Sequence, residues 1–388
     1  MTTAEKTKMK TPRVFLNKAR RDEQAFEKTT VQGGIIGMTG TGKSSLINAL
    51  AGRDIAEVGV NETTGVSANI SAYEFHNIAL VDLPGVGTEK WQTETYFSDL
   101  LMHSPVQGKY SLQPQDFDFF VLVFANRILE EDLKLYRLIT IDLKKRCFLV
   151  RSKFDIDADN NKRTKRKSDK ETYQEIKREL WQSFPDKKTE RVFIISSAEP
   201  ARGDFEKLEA AIQKALPKMK SEKFLAFAMA YSAEGLKKKR KVANKHALRV
   251  ALLSAANALN PIPGIGLMAD VGLLLKLSHD LMDVYGLTDE QLDHEFRSQL
   301  KTKTQTLRYK RKIMNALKPL LSFESIVTVL QRFGYLLETK ELAKWLPYAG
   351  QAVAVILSYH LTSSYAREAI TLCEVQALQI FQNIRESK

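Results

Sequence analysis

The stretch GMTGTGKSS, Gly37 to Ser45, narrows the architectures open to this chain more than any other segment. Its spacing, G-x-x-x-x-G-K-S, falls between an apolar run containing Ile35 and Ile36 and an apolar periodicity at Leu46, Ile47 and Leu50. It therefore reads as a strand turning into a helix through a P-loop. Gly37, Gly40 and Gly42 let successive backbone N–H groups turn inward around phosphate oxygens, and the N-terminus of the following helix adds partial positive charge. Lys43 is placed to reach the β- and γ-phosphates and the Ser44 hydroxyl to ligate Mg2+, with Ser45 completing the phosphate-binding set. Such a unit belongs in an α/β domain with a mainly parallel sheet.

A loop of this kind needs a Mg2+-linked acid at the end of another strand, and IALVDLPG supplies it. Ile78 to Val81 is the strand, Asp82 stands at its carboxyl end, and Gly85 completes D-x-x-G, where a backbone N–H can meet the γ-phosphate. Phe117 to Ala125 and Arg146 to Ser152 have the near-continuous apolar character of parallel strands covered on both faces. Directly after the second comes SKFD. Lys153 and Asp155 form the x-K-x-D arrangement in which a carboxylate accepts from the guanine N1–H and 2-amino group, a pair adenine does not offer. Ser152 stands where Asn or Thr is more usual, which is expected to weaken the tie back to the phosphate loop. A further strand, Arg191 to Ala198, ends in Ser196, Ser197 and Ala198, the place for backbone support of the guanine carbonyl.

Between the two phosphate motifs lies GVNETTG, a candidate switch segment in which Thr63 and Thr64 can each offer Mg2+ a second hydroxyl. After D-x-x-G the chain has Val86 where a Ras-like enzyme carries a water-orienting glutamine. An apolar side chain cannot position water. Either hydrolysis is very slow or the catalytic group comes from elsewhere, and Glu62 is the nearest acidic candidate.

At 388 residues the chain is long enough for a second domain beyond the nucleotide-binding one. Two cysteines, Cys147 and Cys373, form neither a disulfide framework nor a metal cluster, and the lysine-rich N-terminus has no apolar signal region; a reducing, cytoplasmic setting is expected. The formal charge of +13 points to an anionic partner, with basic residues concentrated at Lys162 to Lys170 and Lys237 to Lys241. Neither run is interleaved with aromatics or set in a nucleic-acid-binding signature, so specific nucleic-acid reading is not expected. Solvated surface is the plainer reading of both, and peripheral contact with a membrane or partner the alternative. Val250 to Ala269 and Trp345 to Ala366 carry no Lys, Arg, Asp or Glu, yet Pro261, Pro263, Pro347 and His360 make buried helical hairpins the simpler expectation.

The order GMTGTGKS, GVNETTG, DLPGVG, RSKFD and ISSA, followed by NALNPIPGIGLMADVGLLLKL and YGLTDEQL, resembles the immunity-related (interferon-inducible) GTPases of the GKS type, from about Val31 to about Leu300. The resemblance implies binding of GTP or GDP with Mg2+ and GTP hydrolysis accelerated by G-domain self-association into a homodimer or higher oligomer. It also implies a helical domain made from both ends of the chain. It further implies a catalytic role across the dimer for the switch glutamate, matching Glu62, and matches Thr64 to the family's threonine two residues later. Many members are N-myristoylated on a glycine after the initiator methionine; Thr2 stands there, so that anchor is not expected.

The expected architecture is a Ras-like P-loop domain over residues 31–218 with a helical domain from residues 1–30 and 219–388. Thr288 and Gln291 have capping-box spacing within the helical part. The expected function is a GTP hydrolase that oligomerises and serves cell-autonomous immunity at membranes. The alternatives are a GTP-binding scaffold with negligible turnover and a dynamin-like membrane-remodelling GTPase.

Overall fold

The computed structural model describes residues 17–58, 70–86, 90–103, 110–183, 192–258, 265–297, 303–332 and 349–386. The chain divides into two units, one comprising Thr30–Ser232 and the other Met1–Thr29 with Ala233–Lys388.

The first unit is built on a six-stranded sheet: β1 (Val31–Gly37), β2 (Ser71–Phe75), β3 (Ile78–Pro84), β4 (Phe119–Phe124), β5 (Cys147–Arg151) and β6 (Val192–Ile194), in the order β2-β3-β1-β4-β5-β6. Strands β1 and β4 are buried along their whole length, and β1, β3, β4, β5 and β6 run parallel, as expected of apolar strands covered by helices on both faces. The edge strand β2 instead alternates in burial and pairs antiparallel with β3. Register sets the ends side by side, with Gly37 opposite Pro84 and Phe124 opposite Arg151. The segments carrying the phosphate loop, D-x-x-G, SKFD and SSA therefore all leave one edge of the sheet, the carboxyl edge where open α/β sheets bind ligands.

Helices α2 (Lys43–Ala51), α3 (Tyr96–His103), α4 (Glu130–Arg137), α5 (Phe154–Lys165), α6 (Asp169–Ser183), α7 (Phe205–Ala215) and α8 (Lys218–Phe227) accompany this sheet. The last of these lies beyond the boundary expected at residue 218. Phe224 is 1% exposed and meets Phe119 of β4 edge-on, while Lys220 pairs with Asp118 at 2.6 Å. After it, the Met229 N–H donates to the Leu50 carbonyl and the Tyr231 hydroxyl to that of Ala49, so the chain stays with the sheet unit through Ser232.

The second unit holds a helix over residues 17–28, here α1, with α9 (Ala233–Asn257), α10 (Ile265–Val284), α11 (Asp289–Arg297), α12 (Lys303–Leu317), α13 (Phe323–Gln331) and α14 (Ala349–Glu386). Helices α9, α10 and α14 share a buried hydroxyl–carboxylate network: the Ser254 Oγ donates to Asp270 Oδ1 at 2.8 Å, Thr362 donates to Ser254, and Ser358 reaches the other Asp270 oxygen. Thr288 and Gln291 exchange the capping-box bonds at the start of α11. The apolar segment from Val250 is divided between α9 and α10, and residues 259–264 between them lie outside the described residues. Among the described residues no single helix is long and apolar enough to cross a membrane; Thr304–Leu320 with Phe323–Gln331, bent by 63°, passes that test only as a pair.

Candidate nucleotide site

The carboxyl edge of β1 delivers a loop shaped for an anion. Gly40 and Gly42 have φ of 78° and 94°, the left-handed region glycine enters without steric cost. Gly42 is the N-cap of α2 and supplies no side-chain cap, and the first turn of the helix contains no acidic residue. The first N–H groups of α2 are thus left for an external acceptor, and the positive end of the helix is not neutralised locally.

Lys43 lies across this loop, its Nζ donating to the Gly37 carbonyl at 2.8 Å and lying 3.7 Å from Asp82 Oδ1. Burial lowers the Lys43 pKa and raises that of Asp82; each partner, and for Asp82 also a hydrogen bond with Ser44, acts in the opposite direction. Lys43, Ser44 and Asp82 therefore meet where β1 and β3 end. Beneath the loop, a Cβ on Gly85 would come within 2.6 Å of the Met38 backbone nitrogen, so only glycine lets D-x-x-G approach the phosphate loop this closely. The Tyr96 hydroxyl donates to the Pro84 carbonyl at 2.5 Å and fixes the same segment from α3. Val86 is 2% exposed and belongs to the apolar core with Trp91 and Tyr96. Its side chain is spent on packing.

At the other end of the site β5 runs out into Ser152, Lys153 and Asp155. The Ser152 Oγ donates to the Thr41 carbonyl at 2.5 Å, and the Phe124 carbonyl lies 3.2 Å away. This corrects the expectation of a weakened tie: the short serine reaches the phosphate loop because it addresses a backbone carbonyl held close to β5. Lys153 takes φ of 61° and caps α5, which puts Asp155 in the helix's first turn. The Phe154 N–H donates to the Ile195 carbonyl and so joins this turn to the end of β6, where Ser196, Ser197 and Ala198 follow. Ser196 is buried, its Oγ accepting from the Glu199 N–H at 2.8 Å, and the Ser197 Oγ is buried with no hydrogen-bond partner. Glu62, Thr63 and Thr64 lie outside the described residues.

A model of the interferon-inducible GTPase (IIGP) family matches residues 11–347. The chain belongs to this family. It is 29% identical over 279 residues to interferon-gamma-inducible GTPase 10 of Mus musculus, covering 69% of this chain and 63% of that protein. With interferon-inducible GTPase 5 of Rattus norvegicus it shares 31% identity over 280 residues, 69% of this chain and 57% of the relative. The chain thus spans less than two thirds of the length of either relative. A crystal structure of a probable GTP-binding protein engB aligns with 48% of this chain and 98% of its own at 16% identity and a TM-score of 0.30.

In this interferon-inducible GTPase family member the donors near the phosphate loop suit Mg2+. Ser44 and Asp82 are hard oxygen ligands, and Asp82 is a carboxylate whose burial favours a cationic neighbour. Two contributors were not legible from motif spacing. The Thr41 carbonyl acts through backbone alone, and Tyr96 reaches Pro84 from a helix whose position depends on the folded core.

Proposed function

We propose that this chain binds guanine nucleotide with Mg2+ and hydrolyses GTP, with turnover accelerated when two sheet units meet at their nucleotide faces. The observation that carries this reading is the Ser152–Thr41 bond, which joins the phosphate end of the site, Lys43, Ser44 and Asp82, to the base end, Lys153 and Asp155. Lys43 and the N–H groups of α2 would hold the phosphates, Asp155 would accept from the guanine N1–H and 2-amino group, and Ser44 and Asp82 would hold Mg2+. The ion would supply charge neutralisation between the phosphate oxygens.

The burial of Val86 leaves no side chain at that position to orient water. We assign the missing function to a second molecule, with Glu62 as the residue that acts across the contact and Thr64 as the further Mg2+ ligand. The same burial favours, as a second reading, a GTP-binding scaffold that turns over negligibly. Specific GTPase activity measured across a protein dilution series separates the two. It should rise with concentration in the wild type, while Glu62→Ala should bind GTP nearly normally yet lose that rise. A rate independent of concentration supports the scaffold. The relatives' names link them to interferon, and we extend to this chain a role in interferon-linked defence.

A further inference from the structure

The turn that follows β6 is closed at its base and fastened to α5 and α6 from its returning limb. Ile195 and Gly203 form an isolated antiparallel bridge, and the Asp204 N–H donates to the Ile194 carbonyl at 2.7 Å, so residues 195–203 leave the sheet and return to it. Within the turn, Glu199 N–H donates to Ser196 Oγ and Arg202 N–H donates to the Glu199 carbonyl. Arg202 then reaches out of the turn in two directions. Its Nε and Nη2 hold both oxygens of Asp169 at 2.8 and 3.0 Å, at the start of α6. The same Nη2 donates to Asp159 Oδ1 at 3.1 Å, one helical turn beyond Asp155 on α5, while Nη1 donates to Glu199 Oε1 at 3.2 Å.

An isolated exposed ion pair contributes little, since screening and side-chain entropy offset its attraction. Arg202 differs in geometry. Its side chain is 17% exposed, its bond to Asp169 is bidentate, and three carboxylates from three segments converge on one planar guanidinium. Two of those segments are the ones that would read the base: α5 begins with Asp155, and the turn begins with Ser196, Ser197 and Ala198.

We propose that Arg202 is a positioning residue for guanine recognition, holding the 196–199 turn against α5 so that the Asp155 carboxylate and the backbone after β6 face the same base. This rests on the reading of the site as a guanine-nucleotide site. Loss of the fork loosens the base contacts and leaves the phosphate contacts at Lys43 and α2 in place.

The test compares the affinities of wild type, Arg202→Ala, Arg202→Lys and Asp159→Asn for GTP, ATP and inorganic tripolyphosphate, all with Mg2+, alongside thermal unfolding to confirm folding. Arg202→Ala should weaken GTP by about tenfold and leave ATP and tripolyphosphate unchanged, the loss expected of one or two misaligned hydrogen bonds. Arg202→Lys should recover only part of the loss, because an ammonium cannot serve three carboxylates in a fixed plane. Asp159→Asn, which weakens the α5 arm alone, should lower the GTP-to-ATP preference in the same direction. Equal losses for GTP and tripolyphosphate, or a folded Arg202→Ala that retains wild-type preference, overturn the inference. A wild type that binds tripolyphosphate without preferring GTP over ATP overturns the reading of the site and the inference with it.

Discussion

Two residues set how the phosphate loop is held: Gly85 packs its backbone against it, and Ser152 ties it to the base end through a side-chain hydroxyl. Gly85 lies so close to the phosphate loop that the Cβ of alanine would press on Met38 at 2.6 Å. Gly85→Ala should displace the loop and lower nucleotide affinity by about tenfold or more while far-ultraviolet circular dichroism stays unchanged; calorimetric titration with GTP checks this. Ser152→Ala removes the donor to the Thr41 carbonyl and should cost about 1 kcal/mol of nucleotide binding, read in the same titration. The types and spacing of Lys43, Ser44, Asp82 and Asp155 were legible in the sequence because phosphate and guanine chemistry demand those groups in that order. The reach of Ser152 was not, since it depends on how closely β5 and the phosphate loop approach. Val86 was legible as a missing water-orienting group, and the structure adds the reason: its side chain belongs to the core.

Among the elements, the parallel strands were readable as continuous apolar runs, while β2 was not. SAYEF is short and alternating, and it becomes a strand by pairing with β3. Helix α8 was assigned to the wrong side of the boundary because its docking residue, Phe119, is remote in sequence. Helical periodicity also changes the meaning of the basic run from Lys237 to Lys241. Lys239 is buried, Lys238 pairs with Glu234, and Arg240 pairs with Glu374, so the run is not one solvent-facing patch.

At α1, His246 of α9 lies with its Nδ1 3.3 Å from Glu23 and its Nε2 3.0 Å from Asp280, beside Arg249, which stacks on Phe26. Burial pushes the imidazole down, but its bond to Asp280 and the nearby Glu23 and Asp280 carboxylates outweigh that and raise it to about 9. Its folded value lies above the unfolded one, so its stabilisation is fully present below about pH 6.5 and is lost as pH rises through about 9. Hydrogen-exchange protection of residues 17–28 should fall by on the order of 2 kcal/mol between these limits, and His246→Asn should flatten the dependence.

For the whole molecule, the family resemblance implied a helical domain drawn from both chain ends, and the structure groups Met1–Thr29 with Ala233–Lys388 apart from Thr30–Ser232. Gel filtration and light scattering with GTP and Mg2+ should show a larger species than with GDP if the nucleotide faces pair, and Lys43→Ala should abolish the difference. The central claim concerns the base, and competition against a bound fluorescent guanine nucleotide tests it most directly. GTP should displace the probe from wild type about a hundredfold or more better than ATP, because a site built to accept from guanine leaves its carboxylate unpaired with adenine. In Asp155→Asn that gap should collapse through loss of GTP affinity. Equal displacement by GTP and ATP in the wild type, or an unchanged gap in Asp155→Asn, would contradict the assignment of a guanine-nucleotide site.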